Sequence, residues 1–122
     1  MRPLVYEQTR FSPRVIFDAD KGVFEMEGTL MLEDNKVFFQ TVNRWWRIYQ
    51  QNPNPRTMVV CRLNYYTLAT DNFLLEWFFV LNDVPNLELL WYYDPDDWEM
   101  QEYATTYKSN YSFVKLKEEK VK

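Results

Sequence analysis

The sequence predicts an α/β fold, a single sheet with helices packed on it, in the order β-β-α-β-α-β-α-β. Three observations carry this. Apolar residues alternate with period two in several short runs, they recur at helical spacing in three longer ones, and the two kinds of run take turns along the chain. Strands separated by single helices pair in parallel through right-handed crossovers, and an opening hairpin adds an antiparallel edge.

After a short lead-in, Val15-Ile16-Phe17-Asp18 reads as a strand and Val23-Phe24-Glu25-Met26-Glu27 as its partner. Asp20-Lys21-Gly22 supplies the turn, with Gly22 able to take a positive φ. Phe24 and Met26 share one face and Glu25 and Glu27 the other, as in a sheet with one wet side. From Asn35 to Gln51 the period turns helical: Phe38, Val42, Trp45 and Tyr49 line one face, and Phe39 and Trp46 widen it. Asp34 or Asn35 can cap this helix, and Asn52-Pro53-Asn54-Pro55 ends it. Thr57 to Tyr66 is rich in β-branched and aromatic residues. Its run Met58-Val59-Val60-Cys61 is expected of a central strand covered on both faces. A second helix is expected from about Thr70 to Asn82, with Phe73, Leu74, Trp77, Phe78 and Leu81 inward. Thr70 serves as its cap and Asp71 lies in the electropositive first turn. Leu87 to Tyr93 reads as another buried strand. Asp94-Pro95-Asp96 then turns the chain into a third helix, Asp97 to about Ser109, with Met100, Tyr103, Ala104 and Tyr107 inward. Phe113 to Lys117 alternates again, as a last edge strand.

The length of 122 residues suits a single domain spanning 1–122, with no repeat, low-complexity stretch or linker. Composition then excludes much chemistry. With no His there is no Ser-His-Asp or Cys-His arrangement and no His-ligated metal. One Cys allows no intrachain disulfide and no CxxC pair. Gly22 and Gly28 alone cannot build a P-loop or a dinucleotide-binding turn. These absences point away from an enzyme, a resident cofactor and a bound metal. The formal net charge of −4, without a basic stripe, argues against nucleic acid or an anionic membrane as partner. No apolar run reaches the roughly 18 residues of a membrane span. A free Cys61 and no signal-like start fit a cytoplasmic protein.

Several stretches, in order, resemble one family. They are Thr9-Arg10-Phe11-Ser12-Pro13 followed by the hairpin to Gly28, Leu32-Glu33-Asp34-Asn35 entering the first helix, Arg62-Leu63-Asn64-Tyr65-Tyr66, and Leu90-Trp91-Tyr92-Tyr93-Asp94 continuing through Asp96-Asp97-Trp98-Glu99-Met100. Over its full length the chain resembles the SiaC family of bacterial regulatory phosphoproteins, whose fold is like the STAS domains of anti-sigma factor antagonists. The resemblance implies a switch protein, phosphorylated by a serine/threonine-type kinase and restored by a PP2C-like phosphatase. It also implies that the unphosphorylated form binds a partner enzyme, a diguanylate cyclase, and promotes cyclic-di-GMP signalling.

The family's phosphoacceptor segment, laid over this chain without gaps, falls on Thr67-Leu68-Ala69-Thr70. Leu68 takes the acceptor position and has no hydroxyl, so the resemblance implies a divergent member with an altered or lost switch. Thr67 and Thr70 are the candidate acceptors beside it. Phosphate at a helix N-terminus meets free N–H groups and a partial positive charge, and on a binding surface it repels and desolvates, so it can release a partner. The simpler readings are that Thr70 is a plain N-cap and Thr67 a strand end. Asp71 could partly mimic a phosphate. Leu68, Asp71 and Asn72 are thus candidate partner contacts. A second departure is Tyr103, where family sequences tend to have glycine.

The remaining constellations have bland explanations. Asp94, Asp96, Asp97 and Glu99 could ligate a hard cation, but acids at a turn and a helix start account for them. Asn43-Arg44-Trp45-Trp46-Arg47 mixes arginine with aromatics as single-strand nucleic-acid binders do, yet the acidic chain favours a core tryptophan beside a partly exposed one. Arg44 and Trp46 are therefore candidate protein contacts, since Trp and Arg dominate interface hot spots. Strand alternation puts Tyr92 opposite Trp91 and Tyr93, so one aromatic set there is open to solvent. Cys61 reads as an inert buried thiol, and Glu25 with Glu27 as a solvated pair. The leading expectation is a non-enzymatic regulatory adaptor. The alternatives are a small-molecule-binding domain with an aromatic-lined pocket and an oligomeric structural subunit joined by its aromatics.

Overall fold

Alternation decides the architecture. In the computed structural model, which describes residues 1–31, 36–66 and 68–120 (Tyr65, Tyr66 and Leu68 by backbone alone), the strands are β1 (Leu4–Tyr6), β2 (Arg14–Asp18), β3 (Val23–Leu30), β4 (Thr57–Tyr66), β5 (Leu87–Tyr93) and β6 (Val114–Glu118). They form one sheet in chain order, β1-β2-β3-β4-β5-β6. Pairing is antiparallel from β1 to β3 and parallel from β3 to β6. The helices α1 (Lys36–Tyr49), α2 (Leu68–Leu81) and α3 (Trp98–Asn110) are the three crossovers.

Successive right-handed crossovers that always step the same way place every helix on one face. Burial agrees: Val15, Phe17, Phe24, Met26, Val59, Cys61, Leu89 and Trp91 are buried, while their neighbours along each strand are half-buried or exposed. The expectation that Met58–Cys61 is covered on both faces is therefore corrected. Met58 is 51% exposed and Val60 half-buried, because no helix packs on that side. The lead-in is also more than a lead-in. Leu4–Tyr6 pairs with Val15–Phe17 as an edge strand, a contact that only the hairpin can create.

The predicted hairpin forms, in a register that sets Phe17 opposite Phe24, and Gly22 closes it at φ 68°. Between sheet and helices lies an aromatic core of two linked clusters. Phe17 and Phe24 meet Trp45, Trp46 and Tyr49, with ring centroids 5.2 to 6.1 Å apart. Phe78 meets Trp91 and Tyr107 edge-on, and Trp77 bridges the two clusters through Phe17, Trp46 and Phe78. Each large side chain so buried contributes about 1.5–3 kcal/mol relative to exposure. Few glycines and many rings are thus one solution, in which flat side chains fill the space between layers.

Both tryptophans of α1 go inside, against the expectation of one partly exposed. Residues 100° apart on a helix can both be buried where the helix lies in a cleft. Trp45 turns toward the N-terminal strand and donates its indole N–H to the Arg2 carbonyl at 2.9 Å. Trp46 turns toward α2, its ring 6.2 Å from Trp77. Tyr49 ties the end of α1 to β4, sharing a 2.7 Å hydrogen bond with the Thr57 hydroxyl and accepting from the Asn54 N–H. The proposed caps of α1, Asp34 and Asn35, lie outside the described residues.

Candidate functional site

Parallel strands all end on the same edge, and loops at their carboxyl ends are where α/β sheets usually present function. Here that edge gathers the end of β3, the β4–α2 junction, the β5–α3 turn and the chain leaving β6.

At the junction, α2 begins at Leu68, two residues before the expected Thr70. Thr70 is therefore inside the first turn and is not the N-cap. It is fully buried, and its hydroxyl donates to the Leu30 carbonyl at 3.0 Å, fastening α2 to the last residue of β3. Asp71 is half-buried and accepts from the Tyr107 hydroxyl, which fastens the same turn to α3. Its carboxylate is thus committed to α3. Asn72 is exposed, as is Ala69. Thr67 and the Leu68 side chain lie outside the described residues.

The second candidate surface divides. Arg44 is exposed on the outer side of α1 with Ile48 one turn on, whereas Trp46 is 0% exposed and cannot contact a partner directly. Among the described residues, the aromatics most open to solvent are Phe79 on α2 and Trp98 at the start of α3, each 68% exposed, followed by Phe11 at 51%. Phe79 is not among the residues that the sequence pattern singles out, although the doublet Phe78-Phe79 holds the signal. Phe78 is fully buried, so its neighbour 100° round the helix turns outward. Asn72, Glu76 and Phe79 then share one exposed stripe of α2, at i, i+4 and i+7.

Beside this edge, Arg62, Asn64, Tyr92, Tyr93, Asp94, Asp97 and Glu119 line an open cleft of about 300 Å³. Arg62 lies 4.0 Å from the Tyr92 ring centroid and donates to Glu119 at 3.0 Å. The residues after β6 strap across it, with the Glu119 N–H donating to the Tyr93 carbonyl at 2.9 Å. Desolvation, then the neighbouring Glu118 charge and its hydrogen bond, push the Tyr93 phenol above its ordinary range. The cation of the cleft is already matched by a carboxylate of the same chain. The acidic turn is occupied likewise: the Asp97 carboxylate caps α3, accepting from the Met100 N–H at 3.1 Å, and Asp94 accepts from the Asp96 N–H at 2.9 Å. Among the described residues no three His, Cys, Asp or Glu converge as a metal site would require. Tyr103 stacks beside Tyr107, at a ring-centroid distance of 6.3 Å, and packs against the core half-buried.

The thiol of Cys61 is buried under the helices, and burial pushes its pKa up, which keeps it protonated and unreactive. Glu25 and Glu27 are both held by Arg14, at 3.5 and 3.0 Å, on the helix-free face. No described helix is long and apolar enough to cross a membrane.

The sequence profile of the SiaC family regulatory phosphoproteins matches residues 6–121. No curated protein matches significantly. Among solved structures, the crystal structure of apo-SiaC from Pseudomonas aeruginosa is similar at a TM-score of 0.85, with 20% identity over 96% of this chain and 99% of that one. A further structure of SiaC from Pseudomonas aeruginosa has a TM-score of 0.86 and 19% identity, covering 98% of this chain and all of that one. The crystal structure of the diguanylate cyclase SiaD in complex with its activator SiaC, also from Pseudomonas aeruginosa, contains a chain at TM-score 0.86 and 19% identity, over 95% of this chain and 99% of that one. With a family match over nearly its whole length and the same fold, the chain belongs to the SiaC family of regulatory phosphoproteins.

Proposed function

We propose that this chain is a non-enzymatic, cytoplasmic adaptor that binds and regulates a diguanylate cyclase, and that a kinase and a PP2C-like phosphatase set its state at the β4–α2 junction. The observation that supports the reading is the family match together with the fold shared over 95% of the chain with SiaC, which is the activator in the SiaD–SiaC complex. The aromatic rings are largely spent in the core, while the start of α2 offers an exposed stripe beside the family's switch position. That division favours a docking surface over a ligand pocket. Thr67 is the proposed phosphoacceptor. The Thr70 hydroxyl is buried against the Leu30 carbonyl, so modifying it would require opening the first turn of α2.

The test is to co-express the chain with the diguanylate cyclases of its source bacterium and measure binding and cyclic-di-GMP output. One cyclase is expected to bind and change its activity. Asn72→Arg together with Phe79→Asp should weaken that binding at least about tenfold, as loss of an interface anchor does. Absence of binding to every cyclase tested overturns the reading. Incubation with the cognate kinase should place phosphate on Thr67, mapped by mass spectrometry, and Thr67→Ala should abolish it. Stoichiometric phosphate on Thr70 would instead refute the assignment of the acceptor.

A further inference from the structure

The helix-free face of the sheet carries a charge order that the fold does not require. In register, one row across β3 to β6 reads Glu25, Val60, Leu90, Lys115, and the next reads Glu27, Arg62, Tyr92, Lys117. Both rows run from an acid on β3 to a base on β6. The middle pairs are aliphatic in one row and a cation with an aromatic ring in the other. These four strands are mutually parallel. A two-fold axis lying along the strands, between β4 and β5, therefore exchanges β3 with β6 and β4 with β5 without moving either row.

Under that operation each row is its own complement. Glu25 meets Lys115 of a second copy, Glu27 meets Lys117 and Val60 meets Leu90, while the Arg62–Tyr92 pair, stacked within its own chain and neutralised by Glu119, faces the same pair of the second copy. We propose that this face docks a second copy of the chain, sheet against sheet, as a closed two-fold dimer. Face-to-face sheets of this kind pack about 10 Å apart with strands nearly aligned. An isologous interface needs a self-complementary patch, which both rows supply. A partner of uniform charge would meet a like-charged edge on this face, along β3 or along β6. A rotated copy meets opposite charges on both. Arg14 balances one of the two β3 glutamates through its 3.0 and 3.5 Å contacts, leaving one negative charge there against two exposed lysines on β6. The apolar centre is accessible, since Val60 and Leu90 are only half-buried and Met58 beside them is 51% exposed. The proposal concerns the face opposite α2 and does not depend on a cyclase partner.

Light scattering and sedimentation velocity on the full chain, over a rising concentration series, provide the test. A species of twice 15.0 kDa should grow with concentration. A mass that stays at 15.0 kDa to the highest concentration overturns the proposal. Lys115→Glu with Lys117→Glu sets acid against acid and should raise the dissociation constant at least about tenfold. Glu25→Lys with Glu27→Lys sets base against base and should do the same. Mixing these two variants should restore a dimer containing one of each, and a mixture no tighter than either variant alone refutes the axis. Leu90→Glu probes the centre without touching the Arg14 contacts. A dimer as tight as the parent in that variant refutes the face. Circular dichroism on each variant separates lost association from lost folding.

Discussion

Each strand of this sheet sends alternate residues to two faces, and the two faces hold different chemistry. Phe17, Phe24, Cys61 and Trp91 go beneath the helices, where ring packs on ring. Arg14, Glu25, Arg62 and Lys115, one position away along the same strands, face water or one another. Backbone and register are identical on both sides, so the contrast comes from side chains and from what covers them. Stability is concentrated under the helices. The open face contributes little to folding and keeps its charges available for recognition. The start of α2 combines the two, with Thr70 and Asp71 anchoring inward and Asn72 facing out.

The sharpest way to break this comparison is to truncate one side chain on each face. Trp77→Ala removes a fully buried ring that bridges both aromatic clusters and should cost about 3–5 kcal/mol. Leu90→Ala on the open face should cost less than about 1.5 kcal/mol, since a half-buried side chain gives up only part of its transfer energy. Urea unfolding measures both, and equal losses would mean that the faces are not energetically distinct.

A smaller effect probes the anchor between α2 and α3. Tyr107→Phe keeps the ring in the core but removes the hydroxyl that Asp71 accepts from, and should cost about 1.5 kcal/mol. Hydrogen exchange should show the gain in opening at the first turn of α2. A change spread evenly over the sheet would refute the local role.

The smallest effect is a pH dependence set by the covered face. Burial raises the Cys61 pKa, so the folded chain keeps the thiol proton while the unfolded chain releases it above about pH 8.5. The unfolded state then binds fewer protons, and stability that is fully present below that value falls as pH rises. From pH 8 to 9.5 the contribution is about 1 kcal/mol. Cys61→Ala should flatten the fall by that amount in paired urea titrations, and an unchanged slope would contradict a dry, covered Cys61.

Much of the fold was legible because the signals are local. Phe24-Glu25-Met26-Glu27 has period two, and Phe38, Val42, Trp45 and Tyr49 have a helical period, whatever surrounds them. The start of α3 was legible within one residue for the same reason, acids gathered at a turn, and the structure makes Asp97 its cap through a bond to the Met100 N–H. The site was less legible. Thr70 looked like a cap from its own sequence, but α2 starts at Leu68, and the hydroxyl finds a carbonyl 40 positions earlier. The resemblance to a family located the junction. It could not say that Thr70 is buried or that Phe79, rather than Trp46, faces solvent.

From sequence alone, then, came the three helices and every strand but β1, their order, the parallel pairing and the chemistry that the chain lacks. Each of these follows from spacing along the chain or from simple presence and absence of residue types. Tertiary structure decided which face of the sheet is covered, which of two adjacent tryptophans or phenylalanines is buried, and which charges share a row. Those outcomes depend on contacts between residues far apart in sequence, which exist only once strand order and crossover hand are set. No local pattern encodes that Glu25 lies in line with Val60, Leu90 and Lys115.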